Sequence, residues 1–411
     1  MYSLRLFLKS FFVFFLVSCQ SNLPAQGVSE ANPIEKYEDT VVKPIVVGAE
    51  QLDSLKLYLG NKRIGLVGNQ TSRVGESHLV DTLMALGINL VKVYSPEHGF
   101  RGDADAGEHV SSDKDPKTGL PIVSIYGSNK KPSNAQLEGI DVLLFDLQDV
   151  GARFYTYIST LHYIMEAAAE NGIHVVVLDR PNPNGHYTDG PVRKKGFESF
   201  VGMHPIPIVH GMTVGEIAQM INGEKWLKNG IQCELTVVSC LNYNRNMPYS
   251  LPVSPSPNLR SDAAIQLYPG LCLFEGTSLS VGRGTERPFE VFGHPDLKGK
   301  PGFDYCFTPV SSFGAKDPKL KNQVCYGRDL SPYVDSIHIS QFEIQWLIEA
   351  YQAMGTADFF ITKNRWFDIL AGTDELRKQI LAGKSEAEIR ASWQTDLEDF
   401  RAMRKAYLIY K

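Results

Sequence analysis

From about residue 45 to residue 240 the chain alternates between two kinds of apolar pattern. Mainly apolar runs at Ile64 to Gln70, Ile88 to Tyr94, Ile122 to Tyr126, Ile140 to Asp146 and His174 to Asp179 predict five strands. Helical periodicity predicts helices from about His78 to Leu86 and from about Tyr157 to Asn171. Strands that are apolar on both faces and separated by helices belong in a parallel sheet covered on each side, so the predicted class is α/β, a doubly wound sandwich. The first strand is followed by Gly68-Asn69-Gln70-Thr71 and not by G-x-G-x-x-G, which leaves a dinucleotide-binding domain unsupported.

The pattern changes near residue 250. Leu251-Pro-Val-Ser-Pro-Ser-Pro-Asn-Leu is a stiff crossing, and a glycine-rich stretch, Gly276 to Gly284, follows it. Beyond it the chain reads as a smaller α+β region ending in helices near Ile339 to Met354 and Ser385 to Tyr407. The boundary falls at about residue 265, giving domains over 45–265 and 266–411.

The N-terminus has another character. Residues 1–18 carry Arg5 and Lys9 and then an apolar run too short for a comfortable membrane span, the pattern of a signal peptide. Leu16-Val17-Ser18-Cys19 resembles the bacterial lipobox, which makes Cys19 the lipid anchor; the alternative is an ordinary secretory leader with an incidental cysteine. Residues 19–44 are polar and aperiodic and form a tether. The expected protein is an exported, membrane-anchored lipoprotein, periplasmic or at the cell surface.

Composition narrows the partners. A formal net charge of −5, before Arg5 and Lys9 leave with the leader, suggests no nucleic-acid partner. Cys233, Cys240, Cys272, Cys306 and Cys325 are widely spaced, and without CxxC or HExxH no metal or cofactor is predicted. Export permits one or two disulfides, with Cys306 to Cys325 the candidate pair and one thiol left over.

In an open parallel sheet, ligands bind beyond the carboxyl ends of the strands. That rule turns the strand list into a site list. Asn69, Gln70 and Thr71 follow the first strand; Glu97, His98 and Arg101 the second; Asp146, Gln148, Asp149 and Arg153 the fourth; Asp179, Arg180 and Asn182 the fifth. Singly, each could be a turn cap or a surface ion pair. Four polar tips together point to one cleft.

Glu97 stands out because Pro96 fixes the backbone before it, Gly99 permits a tight turn after it, and Phe100 offers a low-dielectric wall. Such a setting should raise a carboxyl's pKa, as a general acid requires; the competing role is a hydrogen-bonded brace for the loop. His98 fits a partner of Glu97 or a helix cap better than a metal ligand. Phe154, Tyr155 and Tyr157 could present aromatic faces to a sugar ring, whereas Phe145 fits the core.

Asn69-Gln70-Thr71, Ser95-Pro-Glu-His-Gly-Phe-Arg-Gly102, Thr118-Gly-Leu-Pro, Ser124-Ile-Tyr-Gly127, the run from Asp146 to Tyr157, Asp179-Arg-Pro-Asn-Pro and Gly282-Arg-Gly-Thr285 together resemble the exo-β-N-acetylmuramidase (NamZ-like) family, from about residue 50 to the C-terminus. The resemblance implies a Rossmann-like catalytic domain, a smaller C-terminal domain and a cleft between them. It also implies hydrolysis of the β-1,4 bond between a non-reducing terminal N-acetylmuramic acid and N-acetylglucosamine in peptidoglycan fragments, in cell-wall turnover or recycling. Glu97 matches the family's proposed catalytic acid.

Glycoside hydrolysis commonly pairs a protonated with an ionised carboxyl. Asp149 or Asp146 is the expected second group, unless the substrate's 2-acetamido group replaces it; retention or inversion stays open. The lactyl carboxylate of muramic acid calls for a cation, with Arg153 preferred over Arg180 and Arg283. Asn69, Gln70, His98, Arg101, Gln148, Tyr155, Tyr157, Asn182 and Thr285 complete the expected substrate contacts. The glycine-rich loop before Thr285 either closes the cleft or is simply long. Two rival readings are a muropeptide-binding lipoprotein without catalysis, and a metal-dependent hydrolase using Glu97, His98, Asp146 and Asp149.

Overall fold

The strands assemble into one six-stranded sheet in a computed structural model of the protein, which describes residues 43–97, 99–101, 114–355 and 358–410. They are β1 (Ile64–Gly68), β2 (Leu90–Ser95), β3 (Ile122–Ser124), β4 (Val142–Asp146), β5 (His174–Leu178) and β6 (Leu235–Val238). Their order is β3-β2-β1-β4-β5-β6, and every neighbouring pair is parallel. This is the doubly wound order, with its switch point between β1 and β4. The edge strand β6 escaped the sequence pattern because all of its residues are half-buried.

The strand period of two explains the layers. Along β4 and β5, Leu143, Phe145, Val175 and Val177 enter the core on one face, while Val142, Leu144, Val176 and Leu178 enter the core on the other. Helix α1 (Leu52–Leu59) leads into β1, and α2 (Leu79–Ala85), α3 (Tyr157–Asn171) and α4 (Val214–Gly223) connect strands of the sheet. Gly172 ends α3 in the left-handed region at φ 64°, the usual helix stop. Thr213 and Glu216 form a capping box at the start of α4.

The second half carries a small antiparallel sheet of β7 (Val291–His294), β8 (Tyr305–Phe307) and β9 (Cys325–Asp329), in the order β8-β9-β7. Its register removes the expected Cys306–Cys325 bridge. Cys306 pairs with Tyr326 and Phe307 with Cys325, so the two thiols project from opposite faces of the sheet. All five cysteines among the described residues are free thiols. The helix expected over 385–407 is two helices, Glu386–Ala391 and Gln394–Arg404. Trp393 at the break turns inward and donates its indole N–H to Asp189 at 3.2 Å.

Residues 44–411 form one compact unit. The C-terminal tail is fastened to the first sheet: Tyr410 donates its hydroxyl to Asp179 beyond β5 at 2.7 Å. Cys19 and the leader lie outside the described residues.

Candidate active site

Most of the polar residues beyond the strand tips are occupied with one another. Asp146 and Arg180 meet in a two-point ion pair at 2.6 and 2.9 Å, both buried, and Arg180 also donates to the carbonyl of Arg73 at 3.0 Å. Burial works against the guanidinium's charge and Asp146 outweighs it, so Arg180 is held charged. Both oxygens of Asp146 are therefore engaged by Arg180, and Asp146 lines neither of the cavities that Glu97 lines.

Arg153 is likewise engaged elsewhere. It is fully buried and donates to the backbone carbonyls of Pro191, Ile206 and Leu370 at 2.8, 2.8 and 2.9 Å. No route leads from it to a substrate carboxylate; it ties two distant stretches of chain together. Arg101 forms a two-point pair with Asp115 at 2.8 and 2.7 Å and reaches Asp81 at 3.4 Å. That pair joins the two sides of residues 102–113, which lie outside the described residues, as does His98.

The amides follow the same rule. Asn69 donates to the Tyr157 hydroxyl at 2.7 Å and accepts from the Thr71 N–H at 2.9 Å. Gln148 donates to the carbonyls of Asp149 and Pro181, and Asn182 to that of Met212. Gln70 crosses to the carbonyls of Ser254 and Pro255 in the proline-rich crossing, where Tyr155 also donates to Pro255 at 2.8 Å. Asp149 is buried, caps the Gly151 N–H at 2.7 Å and lies 3.5 Å from the buried His210. Thr285 donates to the carbonyl of Gly282 within its own loop at 2.6 Å.

Glu97 has a different setting. It is half-buried and accepts the hydroxyls of Tyr126 at 2.7 Å and Thr156 at 3.2 Å. Thr156 precedes α3 but leaves the helix N–H groups uncapped, its hydroxyl going to Glu97 instead. Burial first, and then the neighbouring Glu97, push the Tyr126 phenol up, so it stays a donor. Glu97 lines a cavity of about 760 Å³ and a smaller one of about 220 Å³ beside it, the latter walled by Tyr155, Tyr157 and Phe200.

Residues from the second half of the chain line the same two cavities: Glu275, Arg283 and Trp366. Arg283 donates Nε–H to Glu275 at 2.6 Å and lies 4.9 Å over the Phe289 ring. Burial opposes its charge, and Glu275 outweighs burial to hold it protonated. Its Nη groups form no hydrogen bond among the described residues. Gly282 lets the chain reach this position: it has φ +74°, and a Cβ there would meet Val291 at 2.6 Å. Lys319, though beside the cavity, spends its donors on the carbonyls of Phe274, Glu275 and Thr277, and burial lowers it to about 8.

The arrangement offers one carboxyl from a strand tip, another in an ion pair with a cavity-facing guanidinium, and aromatic surfaces for a ring. Tyr126, Thr156, Glu275 and Trp366 were not among the sequence candidates. Tyr126 did stand in the quoted Ser124-Ile-Tyr-Gly motif, and Glu275 borders the glycine-rich stretch. Among the described residues no group of three or more His, Cys, Asp or Glu side chains could hold a metal.

The family model for the N-terminal domain of exo-β-N-acetylmuramidase NamZ matches residues 64–263, and that for its C-terminal domain matches residues 266–410. The chain is 39% identical over 407 residues to the peptidoglycan β-N-acetylmuramidase NamZ of Bacillus subtilis (strain 168), covering 93% of this chain and 95% of that one. A crystal structure of a DUF1343 family protein from Bacteroides fragilis superposes with a TM-score of 0.81 at 45% identity, covering 90% of this chain and 99% of that one. A second such protein from the same organism gives 0.75 at 32%, covering 89% and 99%.

The Arg101–Asp115 clamp beside Glu97 makes a pH prediction. Burial disfavours the Asp115 charge, but Arg101 and Thr118 outweigh it and hold the carboxyl at about 2. A depressed carboxyl contributes stability that is complete above its unfolded pKa, near 4, and lost as pH falls towards 2. Because Arg101 is partly exposed, Asp115→Asn should cost about 1–2 kcal/mol at pH 7. In urea unfolding, the gap between wild type and variant should shrink at pH 3; an unchanged gap would refute the clamp.

Proposed function

Because the chain belongs to the NamZ family of exo-β-N-acetylmuramidases, matched over both of its domains, we propose that it releases non-reducing terminal N-acetylmuramic acid from peptidoglycan fragments with Glu97 as the proton donor. The protein is a glycoside hydrolase acting on peptidoglycan. One observation carries the finer reading: of the acids beyond the first-sheet strands, Glu97 lines the cavities, while Asp146, Asp149 and Asp179 are buried and line neither.

Glu97 gives its proton to the glycosidic oxygen as that bond breaks, so that the departing sugar leaves as a neutral alcohol. Tyr126 and Thr156 fix the carboxyl's orientation from two sides. The muramic ring packs against Trp366, which is 36% exposed at the cavity wall. Arg283 receives the lactyl carboxylate on its two Nη groups while Glu275 holds Nε. This replaces Arg153, whose donors are all spent on backbone or buried.

We also assign the protein to cell-wall turnover at the membrane, through a lipid on Cys19. That part rests on the leader alone and is tested by fractionation: Cys19→Ser should move the protein from the membrane to the soluble fraction, and unchanged membrane association would exclude the anchor.

Glu97→Gln should lower turnover of a MurNAc-GlcNAc disaccharide by roughly 10²–10⁴-fold while leaving binding, followed by calorimetry, nearly intact. Wild-type binding with no release of free sugars would instead support a binding lipoprotein. Arg283→Ala should reduce kcat/KM on muramic substrates by about 10–100-fold more than on glucosaminides lacking the lactyl group, the weight of charge-assisted hydrogen bonds. Equal losses on both would remove Arg283 from recognition.

A further inference from the structure

The reaction needs a second group; Asp146 is engaged by Arg180, and Asp149, which caps Gly151 with one oxygen and leaves the other without a hydrogen bond among the described residues, lines neither cavity. We propose that Glu275 is the carboxylate that works with Glu97, an inference that rests on the hydrolase reading above. Glu275 lines both cavities together with Glu97, although the two residues come from different halves of the chain. Its side chain is about one-quarter exposed, enough to meet a substrate.

Its position is well fixed. It lies in the short 3-10 turn Cys272–Gly276. A Cβ on Gly276 would come 2.5 Å from the Cα of Phe367, so the turn is seated directly on neighbouring backbone. Lys319 pins it from the other side through the carbonyls of Phe274, Glu275 and Thr277. Arg283 then holds one carboxylate oxygen, Oε1, at 2.6 Å. Among the described residues the other, Oε2, has only the Cys272 thiol at 3.8 Å, a weak donor at long range. One oxygen thus orients the group and the other is available for a proton.

The chemistry balances as follows. The bond between the muramic C1 and the glucosamine O4 breaks as Glu97 gives its proton to O4. A water oxygen bonds to C1, and the proton that water loses passes to Oε2 of Glu275. The two sugars leave with one hydroxyl each, and solvent returns the proton from Glu275 to Glu97. Arg283 has two tasks in this arrangement, since the guanidinium that receives the lactyl group also orients the base. Recognition of muramic acid and alignment of the water-activating carboxylate are thereby coupled.

Glu275→Gln tests the role, because its amide oxygen can still accept from Arg283 Nε–H while the base is lost. Its turnover of an aryl β-N-acetylmuraminide should fall by roughly 10²–10⁴-fold with little change in KM. In Glu275→Ala, sodium azide should restore turnover and yield a glycosyl azide of α configuration, an effect no misfolded or merely loosened protein would give. Turnover of Glu275→Gln within about threefold of wild type, or no azide product from Glu275→Ala that retains the wild-type circular dichroism, overturns the inference. Wild-type protein runs alongside: if it is inert on this substrate, the hydrolase reading fails first, whereas an active wild type beside an unimpaired Glu275→Gln refutes Glu275 alone.

Discussion

Asp146 and Arg180 face each other beyond β4 and β5 with both charges out of water, and much of the site depends on that pair. Removing one partner of such a pair costs about 3–5 kcal/mol, since the other is left charged and unpaired. The pair holds two adjacent strand tips in register, and through the Arg73 carbonyl it draws in the short antiparallel hairpin of Arg73–Val74 and Ser77–His78 that follows β1. Once these tips are fixed, Asn69 meets the Tyr157 hydroxyl at the start of α3. The same helix start supplies Thr156 to Glu97. A buried structural ion pair is thus linked, through three successive contacts, to the candidate acid.

The second constraint joins the halves of the chain. Arg153 donates to the carbonyl of Leu370, and Gly372 lies so close that a Cβ there would meet the guanidinium at 2.6 Å. Tyr410 closes on Asp179 from the far end of the sequence. These contacts set the first sheet against the segments that carry Glu275, Arg283 and Trp366, and the cavities lie where those residues meet Glu97 and Tyr126. Catalytic geometry built this way is sensitive to stability, because loosening the seam separates the two carboxyls.

The sheet was legible because its continuous apolar runs and its helical crossovers are local properties; β6 was not, since a half-buried edge strand lacks such a run. The tip rule placed Glu97, between Pro96 and Gly99, among its candidates, and Glu97 does line the cavities. It also collected Arg153, Arg180, Asp146 and Arg101, because a sequence shows that a residue is polar but not which partner satisfies it. Arg153 looked suited to a carboxylate ligand and instead serves three carbonyls. Glu275 lies on no tip of the first sheet, and only three-dimensional packing brings it to Glu97. The thiols of Cys306 and Cys325 failed on strand parity, which depends on a register that spacing does not reveal.

In the proposed complex one cavity holds the terminal muramic acid with residue 97 at the glycosidic oxygen and Arg283 at the lactyl group. The decisive measurement is a crystal structure of the Glu97→Gln protein soaked with MurNAc-GlcNAc. The side chain at position 97 should lie within hydrogen-bonding distance of the bridging oxygen, with the lactyl carboxylate on the Arg283 Nη groups. A disaccharide bound elsewhere, or one whose bridging oxygen lies out of reach of position 97, would rule this arrangement out.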